Sequence, residues 1–278
     1  MDPGNNPKPF DPNQFQPSTG KVKKSHWTVI ILVLALLVIG GGFLVVQKAK
    51  QAMGWYRNKK HEVMEGNYGE KRFDTTYVQP FDAGIKKAKL VLNGGTCIYT
   101  LKDTTDQLMR ANAMLFHSRY ALTGNAHGSE YAMDLSMQSK SKTHFGKQSD
   151  SVNLKLNTAP VWDISVHTGA TELNFDLTKY KVHDFKIGGS AGAFTVKLGQ
   201  PLEKTNVSVE VGAADVTINV PKNAACRIEV HAAMSSNTFD QFDKNDDGSY
   251  QTTGYSSAQN KILIKFTGGV SDFKVNRY

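Results

Sequence analysis

From Trp162 the chain reads WDISVHTGATELNFDLTKYKVHDFKIGGSAGAFTVKLGQPLEKTNVSVEVGAADVTINV (residues 162–220). Three segments inside it share one plan: GATELNFDL from Gly169, SAGAFTVKL from Ser190 and GAADVTINV from Gly212. Each opens on small residues, passes a spacer, and continues as alternating apolar and polar residues. Such alternation makes a half-buried strand, because successive side chains point to opposite faces. Leu173, Phe194 and Val216 hold the same place in the three segments, 21 and 22 residues apart.

A repeat of this length, with one or two short strands in each unit, predicts a stacked β-solenoid. Each unit buries its apolar face only against its neighbours. The plan recurs in GGTCIYTL from Gly94 and GVSDFKV from Gly269, which places repeats near both ends of the domain. Glycine suits the corners, either because no Cβ fits there or because φ is positive. An antiparallel sandwich also gives evenly spaced strands, and the stacked arrangement is the preferred reading. From Phe81 onward the remaining runs alternate in the same way (AKLVLN, VNLKL, CRIEV, KILIKF). Helical periodicity is missing after residue 60. TTDQLMRANAMLF (residues 104–116) is the one ambiguous stretch, and a strand after a turn fits it better than a short helix.

Upstream the composition changes. Residues 27–46 read WTVIILVLALLVIGGGFLVV, without a charge. At about 1.5 Å rise per residue, such a run spans the roughly 30 Å hydrocarbon core as a helix. A cleavable signal peptide would be shorter and would end at a small-residue cleavage site, so a retained anchor is expected. The expected organisation is a disordered Pro/Asn-rich tail at 1–26, a transmembrane helix at 27–46, a juxtamembrane linker at 47–80 and a β-rich domain at 81–278.

The net charge is +8. Much of the excess flanks the apolar run, at Lys21, Lys23 and Lys24 before it and Lys48, Lys50, Arg57, Lys59 and Lys60 after it. These flanks suit anionic headgroups. No nucleic-acid-binding module accompanies the charge, so no nucleic acid is expected as a partner. Lys and Arg counts on the two sides lean only slightly toward a cytoplasmic C-terminal domain.

The stretch from Trp162 to Val220 resembles the C-terminal, toast-rack domain of the LiaF-like proteins. The likeness extends upstream to KAKLVLNGGTCIYTLKDTTDQLMRANAMLF and downstream through FDQFDKNDDGSYQTTGY to KILIKFTGGVSDFKV, covering most of residues 85–275. It implies an all-β, toast-rack-like domain preceded here by one transmembrane helix. In that family the domain works in envelope-stress sensing, restraining a membrane histidine kinase or associating with other membrane stress proteins. LiaF proteins usually carry several membrane helices, and this chain carries a single apolar run.

Candidate chemistry is weak. GGSAG (residues 188–192) matches the GxSxG pattern with Ser190 as nucleophile, but that motif needs a helix after it, and here a strand-like AFTVKL follows. DKNDDGSY (residues 243–250) opens like a calcium loop, yet Gly254 stands where its bidentate Glu belongs, and Asp-Asp-Gly makes a hairpin turn by itself. His61, His117, His127, His144, His167, His183 and His231 are scattered without ligand spacing. Glu172, Ala193 and Asp215 occupy equivalent places in the repeats, and their variation argues against a carboxylate ladder. Trp162 reads as an aromatic closing a strand layer. Cys97 and Cys226 read as buried free thiols, pairing only if the fold brings them together outside the cytoplasm.

The expected function is therefore non-enzymatic, with no catalytic residue, cofactor or metal. The chain reads as an integral single-pass membrane protein whose domain binds a membrane or envelope protein, in envelope stress or its regulation. Self-association is expected through end strands around Phe273. The alternative is a surface-exposed, adhesin-like or envelope-scaffold domain.

Overall fold

The computed structural model describes residues 72–116, 118–138 and 149–278. The tail, the apolar run, most of the expected linker, and His61, His117 and His144 lie outside these residues. No helix among the described residues is long and apolar enough to cross a membrane.

Five long strands dominate: β8 (Val161–Leu177), β9 (Lys181–Leu198), β10 (Lys204–Val220), β11 (Ala225–Phe239) and β14 (Lys261–Arg277). All run parallel to their neighbours, in the order β8-β9-β10-β14-β11. Each is too long for one flat layer, and the burial pattern shows why. In β8 the even positions Trp162, Ile164 and Val166 are buried. After the corner at Thr168–Gly169 the odd positions Leu173, Phe175 and Leu177 are buried instead. The strand folds over, so that its two halves lie in two layers facing one core. Stacked copies of this bent strand form a two-layered rack.

The register confirms the sequence repeat. Leu173, Phe194 and Val216 are direct neighbours across β8, β9 and β10, and Tyr99 and Phe273 continue their row. In the other layer Leu90, Ile164, Phe185, Val207, Ile264 and Ile228 form the matching row. Rows of this kind, with strands about 4.8 Å apart, bury the apolar face of every unit against the next.

Two further coils are split into separate strands. β2 (Lys87–Asn93) and β3 (Cys97–Thr104) pair in parallel with the two halves of β8. β6 (Glu130–Met137) and β7 (Asp150–Leu156) stack on them in turn. Antiparallel strands close this end: β5 (Tyr120–His127) on β6, and β4 (Met109–Leu115) followed by β1 (Phe73–Gln79) on β7. The ambiguous stretch at 104–116 thus contains strand β4. Strand β1 lies within the segment expected to be linker; its alternating side chains give Tyr77 a hydroxyl bond to the Tyr120 carbonyl oxygen, at 3.0 Å.

At the opposite end the arrangement departs from expectation. The C-terminal repeat around Phe273 does not end the stack. β14 inserts between β10 and β11, and Phe273 is only 1% exposed. β11 is the outermost coil. Among the described residues only its first half is covered, by the short hairpin β12 (Asp243–Lys244) and β13 (Tyr250–Gln251).

The corners explain the glycines. A Cβ on Gly212 would meet the Ser190 carbonyl oxygen at 2.6 Å, and one on Gly269 would meet that of Gly212 at 2.7 Å. Close backbone approach is therefore what selects glycine here. Positive φ among described glycines occurs elsewhere, at Gly128, Gly248 and Gly254.

Trp162, near the start of β8, is fully buried, and its Nε1–H donates to the Asn157 carbonyl oxygen at 2.8 Å. Cys97 and Cys226 are buried free thiols. They belong to coils at nearly opposite ends of the stack, separated by β8, β9, β10 and β14. At about 4.8 Å per strand, this puts the pair far beyond the roughly 7 Å limit for a disulfide.

Candidate functional site

Three places on the domain present chemistry to solvent: a charged cluster on one outer face, a polar row on the other, and the open edge of β11.

The charged cluster arises from a break in register. Trp162 pairs with Val182, but Asp163 pairs with Asp184, leaving His183 as an extra residue in β9. A bulge of this kind re-aims a side chain. His183 and Asp184 consequently both stand beside Asp163 on the outer face. His183 Nδ1 lies 2.9 Å from Asp163 Oδ1 and 3.8 Å from Asp184 Oδ2. The second oxygen of each carboxylate is held from outside the trio. Lys87 Nζ is 3.2 Å from Asp163 Oδ2, and Asn206 Nδ2–H donates to Asp184 Oδ1 at 2.7 Å. Burial pushes the Asp163 carboxyl up, but the hydrogen bonds from His183 and Lys87 and the charge of Lys87 outweigh it. The group titrates below the ordinary carboxylate value.

His183 was expected as a scattered imidazole, and the fold instead gives it two carboxylates. Half of the signal was present in the sequence. The 21-residue offset that aligns Leu173 with Phe194 also aligns Asp163 with Asp184. The bulge that brings in His183 has no such signature.

On the other outer face, Asn112, Asn153, Thr100, Asn174, Thr195 and Thr217 fall in one row across consecutive strands. Threonine favours strands, whereas asparagine is depleted in them. The row is an uncharged array of hydroxyls and amides. Beside it, Glu172, Ala193 and Asp215 are in register as the repeat implied, and the insertion of β14 sets Asp272 next to Asp215. That neighbour was not legible from the order of the chain.

The third place is the edge. The second half of β11, residues 232–239, pairs with β14 on one side only, and among the described residues no strand pairs with its other side. It carries Met234, which is 48% exposed. An edge of this kind presents unpaired N–H and C=O groups in a row.

The motifs weighed in the sequence resolve as local structure. Ser190 sits exposed at a corner within β9, which runs on as a strand to Leu198, so the strand–turn–helix of a nucleophile elbow is absent there. Residues 243–251 form the β12–β13 hairpin, with its turn at 245–249. The Asp247 carboxylate accepts from the Ser249 backbone N–H at 3.0 Å and hydroxyl at 2.6 Å, and pairs with Arg227. An open cleft of about 430 Å³ lies along the turns after β8, β9 and β10, with Gln200, Asn223 and Tyr278 in its wall. Inside the domain, the Tyr99 and Tyr120 hydroxyls meet at 2.8 Å near the Cys97 thiol, and burial pushes all three groups up.

These features define a class: a stacked, bent-strand domain with parallel coils, in which the second half of β11 has no further strand on it among the described residues. The chain belongs to the toast_rack family: residues 58–219 match the N-terminal domain of toast_rack, DUF2154. No curated protein matches the sequence. Among solved structures, a presumed cell adhesion protein from Clostridium sporogenes shares the fold. It has a TM-score of 0.70 and 18% identity, over 75% of this chain and 100% of that one. A presumed adhesin from Bacteroides fragilis aligns over 74% of this chain and 98% of its own, with a TM-score of 0.28 and 12% identity.

Proposed function

We propose that this chain is a membrane-tethered, non-enzymatic binding module that engages a protein of the membrane or envelope by strand addition. The open edge of β11 at residues 232–239 carries the proposal. The parallel coils end elsewhere on antiparallel β4 and β5 or on the β12–β13 hairpin, while among the described residues no further strand lies on this half-coil. A partner strand laid there gains main-chain hydrogen bonds, and the side-chain alternation of the edge supplies selectivity. The apolar run at residues 27–46 serves as the anchor. It confines the domain to a thin layer and raises its effective concentration toward other membrane proteins. The family resemblance points to partners in envelope-stress regulation.

Surface adhesion is the second reading. It is favoured by the presumed adhesion role of the Clostridium sporogenes protein of like fold. It requires the domain to lie outside the membrane.

A compartment-specific reporter fused after Tyr278 separates the two readings. A cytoplasmic signal supports the regulatory partner, and an external one supports adhesion. Strand addition itself is tested by Asn237→Pro, which removes an N–H from the unpaired side of β11, against Ser190→Ala at a corner. The proposal expects association with the co-purifying partner, or with a second copy, to be lost only in Asn237→Pro. Equal association in both variants overturns it.

A further inference from the structure

The bulge at His183 builds more than a salt bridge. From two adjacent coils, Asp163, His183 and Asp184 each offer one ligand atom, and the three atoms lie within 4.8 Å of one another. Tetrahedral coordination with metal–ligand bonds of about 2.0–2.1 Å sets ligand atoms roughly 3.4 Å apart. The distances of 2.9 Å and 3.8 Å from His183 Nδ1 to the two carboxylates bracket that spacing. Rotation of side chains that are only partly buried closes the difference.

The supporting contacts point the same way. Carboxylates that bind a metal usually have their remaining oxygen held by a neighbouring donor, which fixes their orientation. Asn206 plays that part for Asp184, whereas Lys87 pairs with the outer oxygen of Asp163 as a cation already in place. Both leave the oxygen nearest His183 turned toward the centre of the trio. With Nδ1 directed inward, a single proton on His183 serves Asp163 at 2.9 Å but leaves Asp184 at 3.8 Å, too far for a good hydrogen bond. One cation at the centre serves all three groups. The bulge itself has a cost in ladder hydrogen bonding, and its visible effect is to add the imidazole to the two aligned carboxylates.

We infer that Asp163, His183 and Asp184 form a binding site for a borderline divalent cation of the zinc class. One imidazole and two carboxylates match that class. Three protein ligands leave a position open to water or to a group on another molecule. The Lys87 ammonium competes with the ion for Asp163, so the affinity of the site is set partly by that lysine. The inference stands apart from the edge-binding reading.

The test is isothermal titration of the full-length chain, purified with chelator and then freed of it, with zinc chloride alone at near-neutral pH. The expected result is one ion per chain at micromolar affinity. His183→Ala and Asp184→Asn each weaken binding at least tenfold, and His231→Ala, on the same outer face but outside the trio, leaves it unchanged. Lys87→Met strengthens binding severalfold, an outcome that misfolding or adventitious surface binding does not produce. No saturable binding to the wild-type chain, or binding that survives His183→Ala, overturns the inference. So does weaker or equal binding in Lys87→Met.

Discussion

Phe266 and Phe273 lie on the same strand, seven residues apart, yet their rings stack with centroids 4.4 Å apart. In a straight strand that separation in sequence would span about 23 Å. The contact forms because β14 folds over at Gly268 and Gly269, placing one ring in each layer of the core. The two aromatics are thus a direct reading of the bend on which the domain is built.

Truncating Phe273 opens a cavity between the layers. Phe273→Ala is expected to cost about 3–5 kcal/mol. Lys274→Ala, on the outer face of the same strand, should stay within about 0.5 kcal/mol. Urea unfolding of the two variants checks this. A similar loss in both would mean that the bend does not bring the two rings into one core.

The corner glycines should differ among themselves. Gly212→Ala and Gly269→Ala drive a Cβ into a backbone carbonyl oxygen at 2.6 Å and 2.7 Å and should cost about 1–3 kcal/mol each. At Gly169 the nearest atom is at 3.6 Å. There the alanine removes unfolded-state entropy and is expected to be neutral or slightly stabilising. Thermal unfolding ranks the three, and equal effects would show that close approach does not select these residues.

Both cysteines should resist modification in the native state. Burial is the main cause that pushes the Cys97 thiol up to about 12, and it pushes Cys226 up as well. An aromatic disulfide reagent at mildly alkaline pH should therefore label neither until denaturant is added, and then both. Rapid native labelling of either would contradict its place in the core. A non-reducing gel should show no intramolecular bridge, whichever side of the membrane holds the domain.

Asp176 gives a pH signature. Burial pushes its carboxyl up, but the Thr178 hydroxyl at 2.6 Å and backbone N–H at 3.0 Å outweigh it and hold the group below 3.8. The folded state therefore favours the charged form. Its contribution is fully present above the unfolded value of about 3.9 and is lost as the pH falls through the folded one. As the pH falls below about 5, the wild type should lose more stability than Asp176→Asn. Denaturant midpoints across that range decide, and parallel acid profiles would remove Asp176 from the account.

Much of this architecture was legible along the chain. The places of Leu173, Phe194 and Val216 in their repeats are their places in the sheet, because units that stack in parallel keep one register. The Gly-Ala corners were legible for the same reason. The bulge at His183 was not, since an extra residue in one strand alters pairing without altering the apolar pattern around it. Strand β1 was read as linker because its residues, FDTTYVQ, carry little apolar alternation and are mostly exposed at an edge.

By itself, the sequence determined the unit: small residues at a corner, apolar alternation beside it, and Leu173, Phe194 and Val216 in equivalent places. That follows from periodicity, which is a local property. Only the tertiary structure decided the order of the units. Inserting β14 between β10 and β11 buries Phe273, sets Asp272 beside Asp215, and leaves residues 232–239 as the open edge. No local pattern encodes that choice. A strand with one buried face can stack against several similar neighbours, and which neighbour it takes depends on the packing of the whole stack.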